Sequence, residues 1–216
     1  IPVNFNKPYF AMSPSDFWRR WHISLSTWLR DYLYIPLGGN KKSKPRTYLN
    51  LIIVMFLGGL WHGASWNFVV WGLLHGAYLA MHKALSDKFP KISNSKIFKS
   101  RIGTLFSILV TQYLVFLTWI AFRVEDFDSM VYSMQKYVFV DFNIVGVLPV
   151  ILSHKFSTIL IPIFIVTSII LIKQKNIELS IAKLRIRYLV LFVIFIVILI
   201  TFFDNGPPRD FIYFRF

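Results

Sequence analysis

Long apolar stretches, separated by short clusters of lysine and arginine, constrain what this chain can fold into more than any other feature. There are five of them: Tyr48–Leu60, Trp66–Met81, Leu105–Phe122, Phe156–Ile172 and Tyr188–Phe203. Hydrophobic residues make up 56% of the 216 residues and charged residues only 16%, whereas soluble domains carry about 25% charged residues. Because so little charge cannot cover so much apolar surface in water, the sequence predicts an integral membrane protein.

Two of the stretches are short for a membrane span. A helix that crosses a bilayer takes roughly 17–25 apolar residues, and Tyr48–Leu60 and Trp66–Met81 fall below that range. We interpret them as tilted, broken or re-entrant helices, and the weaker segment Ile144–Leu152 as a short interfacial or re-entrant piece. The predicted fold class is an all-α integral membrane bundle that combines membrane helices with short or re-entrant and interfacial helices.

Residues 1–46 are too polar for a membrane span. Ser13, Pro14 and Asp16 have the spacing of a helix start, with Ser13 as the N-cap. Apolar residues then repeat at helical spacing, at Phe17, Trp21, Leu25, Trp28 and Tyr32. We expect one amphipathic helix in the membrane interface, with its aromatic face towards the lipid interior, followed by a turn at Leu37-Gly38-Gly39-Asn40.

The basic residues predict an orientation. The net charge is +14, and most of it lies in three loops: Lys41, Lys42, Lys44 and Arg46; Lys83, Lys88, Lys91, Lys96, Lys99 and Arg101; Lys173, Lys175, Lys183, Arg185 and Arg187. The loop between the third and fourth stretches instead holds Glu125, Asp126, Asp128 and Asp141. This alternation is typical of cytoplasmic basic loops in a membrane protein and argues against nucleic-acid binding. It places the helix that carries His22 on the cytoplasmic side and the carboxyl terminus on the other.

Few residues in the chain could do chemistry. There is no cysteine, nucleophile elbow, Walker loop, dinucleotide fingerprint or zinc motif. The five histidines are His22, His62, His75, His82 and His154. His75 and His82 could share a helix face, but nothing near them completes a metal site, so we predict none. We interpret His154 as an interface residue.

His62 is the strongest candidate. It follows a glycine pair and Trp61 at the end of a short apolar stretch, where small neighbours would let substrates approach a general base. It could equally be an interfacial anchor beside a tryptophan. His22 is either a headgroup-facing histidine or a second catalytic group, with Arg19 and Arg20 attracting an anionic donor.

Several long runs resemble the membrane-bound O-acyltransferase family. They are Asn4-Phe5-Asn6-Lys7-Pro8-Tyr9, residues 16–40 from DFWRRWHIS to IPLGGN, Gly59-Leu60-Trp61-His62-Gly63-Ala64 with Trp66-Asn67 and Trp71-Gly72, and the closing Phe211-Ile212-Tyr213-Phe214-Arg215-Phe216. The likeness is greatest to the branch that acetylates alginate, peptidoglycan and other extracellular glycans. The branch that transfers D-alanine to teichoic acid is the alternative within the family.

The resemblance implies a function and a location. It implies that His62 is the essential histidine and His22 a second important one. It also implies no tightly bound cofactor, a cytoplasmic thioester donor such as acetyl-coenzyme A or an acyl carrier, and an extracytoplasmic glycan or partner protein as acceptor. Residues 1–216 would be the C-terminal part of a single multi-pass domain in the cytoplasmic membrane, with an interfacial region at 1–46 and about five membrane segments at 47–216. A transporter or channel and a non-catalytic scaffold remain alternatives from other classes.

Overall fold

The computed structural model of the chain describes residues 3–90, 95, 98, 100–139, 185–188, 190, 191, 193 and 194. The chain forms two compact units, Ile1–Val140 with Phe216, and Asp141–Arg215. Nearly all described residues belong to the first unit. The predicted segments Phe156–Ile172 and Ile144–Leu152, and most of Tyr188–Phe203, lie outside the described residues.

The described part is helical and contains no strand, as the fold-class prediction requires. Its helices are α1 (Pro14–Trp18), α2 (Ile23–Leu29), α3 (Lys44–His62), α4 (Trp66–Lys88), α5 (Arg101–Arg123) and α6 (Phe127–Val138). A 3-10 turn, Pro8–Phe10, precedes α1, and a π-helical turn, Arg30–Tyr34, follows α2. Within the described residues only α5 is long and apolar enough to cross a membrane.

The start of α1 confirms the predicted cap. The Asp16 N–H donates to Ser13 Oγ (3.1 Å), and Pro14 occupies the first helical position. The Asp16 carboxylate also accepts from the Met12 N–H at 3.1 Å. Side-chain oxygens therefore satisfy backbone donors that the first turn of a helix leaves without intrahelical partners.

The prediction of one amphipathic helix after Ser13 is wrong. α1 ends at Trp18, and α2 begins only after His22, which has φ 45° and ψ 54°, a left-handed conformation. Only part of the predicted aromatic face is exposed: Phe17 is buried in a core formed with α4 and α5, whereas Trp28 and Tyr32 remain exposed. Periodicity alone does not reveal a break at a single residue, since the apolar spacing resumes after it.

α3 and α4 form the hairpin that supports the rest of the unit. They have 19 and 23 residues and are each continuous, so they extend well beyond the apolar stretches that predicted them. Three glycines bring the two backbones into contact. A Cβ on Gly72 would lie 2.5 Å from Met55 O, one on Gly76 2.8 Å from Ile52 Cα, and one on Gly59 would strike Phe68 O. Small residues of this kind allow close helix packing in membranes.

The turn predicted before α3 is confirmed. Gly38 and Gly39 have φ values of 104° and 52°, which only glycine adopts without strain. Asn50 in α3 donates through Nδ2 to Leu37 O and Gly39 O, at 3.3 and 3.2 Å. The turn is thereby docked onto the first half of α3.

α6 is an element that the sequence analysis treated as an acidic loop. Asp126 caps it by accepting from the Ser129 N–H at 2.8 Å. Met130 is buried in the core, with Val131 and Met134 packed beside it. An N-cap aspartate before apolar residues at helical spacing is a recognised signal, so α6 was predictable from the residues.

Candidate active site

His62 is the last residue of α3 and lies in an aromatic enclosure. Its ring centroid is 5.1 Å from that of Trp71 and 5.1 Å from that of Phe122, both edge to face. Trp61 lies 5.0 Å away and Phe68 6.2 Å. The side chain is 6% exposed, whereas neighbouring Trp61 is 56% exposed. Of this pair, therefore, the tryptophan has the exposure of an interfacial anchor, and the histidine is held inside the protein.

The glycines before His62 have a different role from the one expected. We interpreted Gly58 and Gly59 as small neighbours that give substrates access. Gly59 instead faces the α4 backbone at Phe68, and Gly58 faces the Leu29 side chain, 3.4 Å from where a Cβ would be. These glycines bring α3 against α4 and α2, and so carry His62 to the side chains of α4.

His22 and His62 lie beside the same part of α5, although 40 positions separate them in sequence. Trp21, next to His22, packs on Trp119 at 5.4 Å, and Phe122, one turn further along α5, packs on His62 at 5.1 Å. Burial lowers the pKa of His22 below its usual value, because desolvation disfavours the imidazolium. His22 is therefore neutral near pH 7 and able to accept a proton.

The turn that carries His22 is held by the N-terminal segment. Asn4 Oδ1 accepts from the Ser24 N–H and Oγ–H, at 3.1 and 3.0 Å, and Asn4 O accepts from the Ile23 N–H. The Asn4 side chain thus caps α2, a task that an N-cap residue normally performs itself. His22 Nδ1 makes no hydrogen bond to any described residue, so the imidazole is not committed to capping. The sequence analysis did not assign this role to Asn4.

The location of His22 corrects the predicted orientation of its segment. Trp21 packs on Trp119, in the last turns of α5, with centroids 5.4 Å apart. At the same end, Asn67 Nδ2 donates to Val124 O and Glu125 O. The basic end of the bundle is marked by the Asp87 carboxylate, which accepts from Lys83 Nζ at 2.7 Å. His22 therefore lies towards the acidic end, with His62, whereas Ser15 and Gly39, on either side of it in sequence, contact His82 and Asn50 in the basic halves of α4 and α3.

The two arginines proposed to attract a donor are engaged with one carboxylate. Arg20 Nε lies 3.0 Å from Asp16 Oδ1, and Arg19 NH2 lies 3.6 Å from the same oxygen. Burial raises the pKa of Asp16, but the hydrogen bonds from Arg20 and Met12 outweigh it and hold the pKa below its usual value. The Arg19 side chain remains 72% exposed, so it is the more accessible of the two cations.

The remaining described histidines have protein partners. His75 is 2% exposed and is bonded through both ring nitrogens, to Trp18 and Thr118. His82 Nδ1 lies 3.1 Å from Ser15 Oγ. Within the described residues no group of histidines and acids could hold a metal ion.

A cavity of about 600 Å³ lies away from both candidate histidines. It is formed by the second half of α4, the first half of α5 and the cap of α1, and His82, Met81 and Phe106 line it. Its lining is mostly apolar and contains neither His62 nor His22. We do not assign it as the reaction site, because the histidine in its lining, His82, has its Nδ1 3.1 Å from Ser15 Oγ.

Comparison with known proteins agrees with the resemblance noted in the sequence. The model of the MBOAT, membrane-bound O-acyltransferase family, matches residues 1–109, which include His22 and His62. The probable alginate O-acetylase AlgI of Azotobacter vinelandii is 52% identical over 126 residues, 58% of this chain and 23% of that protein. The peptidoglycan O-acetyltransferase of Helicobacter pylori is 46% identical over 129 residues, 60% of this chain and 23% of that protein.

A third relative represents the other branch. The teichoic acid D-alanyltransferase of Streptococcus thermophilus is 38% identical over 102 residues, 44% of this chain and 25% of that protein. The matched part of the chain spans about a quarter of the length of these curated relatives. Because the family model covers half of the chain, with its two candidate histidines, the chain belongs to the membrane-bound O-acyltransferase family.

Proposed function

We propose that this chain carries the catalytic histidine of a membrane O-acyltransferase and that His62 is the general base. The observation that supports this most is the enclosure of His62 by Trp71 and Phe122, beside the part of α5 on which Trp21, next to His22, also packs. An imidazole shielded from bulk water and close to a second neutral histidine is suited to accepting a proton from a hydroxyl.

The proposed reaction is a single acyl transfer. Nε2 or Nδ1 of His62 accepts the proton of the acceptor hydroxyl while the hydroxyl oxygen attacks the thioester carbonyl. The carbon–sulfur bond then breaks, and the thiolate takes the proton back from His62, so that ester and thiol are formed. His22 lies where a second neutral imidazole can hold the acceptor or the donor near His62.

The donor is proposed to be an acyl thioester, acetyl-coenzyme A or an acyl carrier. Arg19 supports this because its exposed cationic side chain, three residues before His22, can attract an anionic donor. Arg20, paired with Asp16 at 3.0 Å, would stabilise the segment and contribute positive potential without binding directly. No tightly bound cofactor is required by this reaction.

The acceptor is proposed to be a glycan hydroxyl outside the cytoplasm, or a partner protein that passes the acyl group on. The relatives named for alginate and peptidoglycan acetylation, at 52% and 46% identity, favour acetyl transfer to a polysaccharide. The relative named for D-alanyl transfer, at 38% identity, supports the alternative acyl group.

The chain is proposed to lie in the cytoplasmic membrane as part of a multi-pass protein. α5 is apolar enough to span. α3 and α4 are long enough but more polar, so they would be tilted or re-entrant helices shielded by protein. The segment around α1 and α2 would lie at the membrane interface through its exposed residues Trp28 and Tyr32.

The test is complementation of cells that lack the native gene with the full-length protein, either wild type or His62→Ala. General-base catalysis contributes about 10²–10⁴-fold, so His62→Ala should remove nearly all ester from the cell-envelope polysaccharide. His82→Ala, at matched membrane levels, is the control and should retain ester. Wild-type ester with His62→Ala would exclude His62 as the base. D-Alanyl ester in place of acetyl ester in wild-type cells would select the second branch.

A further inference from the structure

His75 is a buried histidine that the proposed reaction does not use, and its hydrogen bonds determine its protonation. Trp18 Nε1 lies 3.2 Å from His75 Nδ1. An indole nitrogen can only donate, so Nδ1 must be the acceptor. Neutral His75 therefore carries its proton on Nε2.

The other side of the ring is consistent with this tautomer. Thr118 Oγ1 lies 2.9 Å from His75 Nε2 and 2.6 Å from Val115 O. The Nε2–H donates to the threonine oxygen, and the hydroxyl in turn donates to the carbonyl of Val115. The chain of donors runs in one direction from Trp18 to Val115 and leaves no ring nitrogen unsatisfied. It joins α1, α4 and α5 through one imidazole.

His75 contacts the aromatic side chains that lead to both candidate histidines. On one side Trp71 packs between the two rings, 4.7 Å from His75 and 5.1 Å from His62. On the other side Phe17 stacks on His75 at 6.2 Å and on Trp21 at 5.7 Å, and Trp21 precedes His22. His75 itself touches neither His22 nor a substrate, so it can act only through these neighbours.

We propose that His75, fixed as the Nε2–H tautomer by Trp18 and Thr118, is the positioning residue that sets the placement of His62 and His22 relative to each other. This rests on the proposed acyl transfer. The α3–α4 hairpin carries His62 and the N-terminal segment holds His22, so the two histidines lie on different elements. Ser15 and His82 also join α1 to α4, but the Trp18–His75–Thr118 network is the one that reaches α5 as well. It holds the three elements in one register, because an imidazole rotated by half a turn would place its N–H against the N–H of Trp18.

The experiment compares Thr118→Ser with Thr118→Val in the full-length protein. Serine keeps the hydroxyl, whereas valine keeps the shape and removes the only acceptor of the Nε2–H. Size-exclusion chromatography quantifies the folded protein in each sample. The amount of polysaccharide ester divided by that amount should fall about 10–100-fold in Thr118→Val, because small misplacements of reacting groups have effects of this size. Thr118→Ser should stay within about twofold of wild type by the same reasoning. If the two variants give equal amounts of folded protein, a loss of ester in Thr118→Val is an effect on positioning and not on folding.

Two results would overturn the proposal. One is wild-type ester in Thr118→Val, and the other is an equal loss in both variants. The tautomer is tested separately by ¹⁵N NMR of histidine-labelled protein, in which His75, assigned by the loss of its signals in His75→Gln, should show a protonated Nε2 and an unprotonated Nδ1. A protonated Nδ1 would refute the assignment. If wild type itself forms no ester, the proposed function fails, and the NMR result still decides the state of His75.

Discussion

At the scale of single residues, His22 combines a backbone constraint with a proposed chemical role. Its φ of 45° and ψ of 54° are unusual for a residue with a side chain, and such a conformation costs roughly 1–2 kcal/mol. Residues in sparsely populated conformations concentrate at functional sites. A glycine would fit this turn with less strain, and the histidine that occupies it does not cap α2.

We therefore expect His22→Gly to separate stability from activity. Glycine removes the strain and should raise the free energy of unfolding by up to about 1 kcal/mol, while the loss of the imidazole lowers acyl transfer at least tenfold. Thermal unfolding of the purified full-length protein and polysaccharide ester in complemented cells measure the two effects. His22→Asn, which tolerates the same backbone conformation, is the matched control for side-chain chemistry. Full ester with His22→Gly would show that His22 only shapes the turn.

At the scale of elements, the α3–α4 hairpin determines where His62 lies. The close approach depends on Gly59, Gly72 and Gly76, which meet backbone atoms of the facing helix. A helix interior normally disfavours glycine, so their presence in α3 and α4 is explained by packing. The same packing brings Trp71, next to Gly72, against His62.

Gly72→Ala should separate these helices. The added Cβ would lie 2.5 Å from Met55 O, and since backbone cannot give way locally, overpacking should cost about 1–3 kcal/mol. Ester formation should fall as Trp71 moves away from His62. Melting temperature in detergent and ester content are the measurements.

Gly58→Ala is the matched control for this change. Its Cβ would meet the end of the Leu29 side chain at 3.4 Å, which can adjust, and alanine is the better helix former. We expect wild-type stability and ester. Equal effects of the two substitutions would mean that close packing of α3 on α4 is not what holds the site.

At the scale of the whole molecule, the described basic loops lie at one end of the helices and the acidic loop lies at the other. Tyr48 Oη–H donates to the Asp87 carboxylate at 3.2 Å near the basic loops, and Asn67 bonds to the carbonyls of Val124 and Glu125 at the other end. Among the described residues, the ends of α3, α4 and α5 therefore alternate between basic and acidic loops, as the loop charges predicted for this part of the chain. Positive loops remain on the cytoplasmic side of a membrane.

Cysteine labelling should give opposite sides for the two ends. The chain has no cysteine, so Lys42→Cys and Asp128→Cys, both at exposed positions, can be introduced singly into a full-length protein with no other cysteine. A membrane-impermeant maleimide applied outside intact cells should label position 128 and leave position 42 unlabelled until the membrane is opened. Labelling of both from one side would contradict a spanning α5.

The residues themselves were sufficient for several of these conclusions. Composition predicted membrane helices, the Ser13-Pro14-Asp16 spacing predicted a helix start that the structure confirms, and the runs around His22 and His62 predicted a family that the comparisons confirm. Such features are local or compositional. Propensity, capping and family motifs are properties of neighbouring residues, so they can be read without knowing how the chain packs.

Other features were decided only by tertiary structure. The break at His22, the burial of Phe17 and Trp18 and the hydrogen bonds of His75 all depend on residues far apart in sequence, such as Trp18 with His75 and Thr118. The sequence analysis assigned His75 no function because its partners are 57 and 43 positions away. Amphipathic periodicity tells which face of a helix is apolar, but whether lipid or protein covers that face depends on which helices pack against it. That choice rests on long-range contacts, which local sequence does not contain.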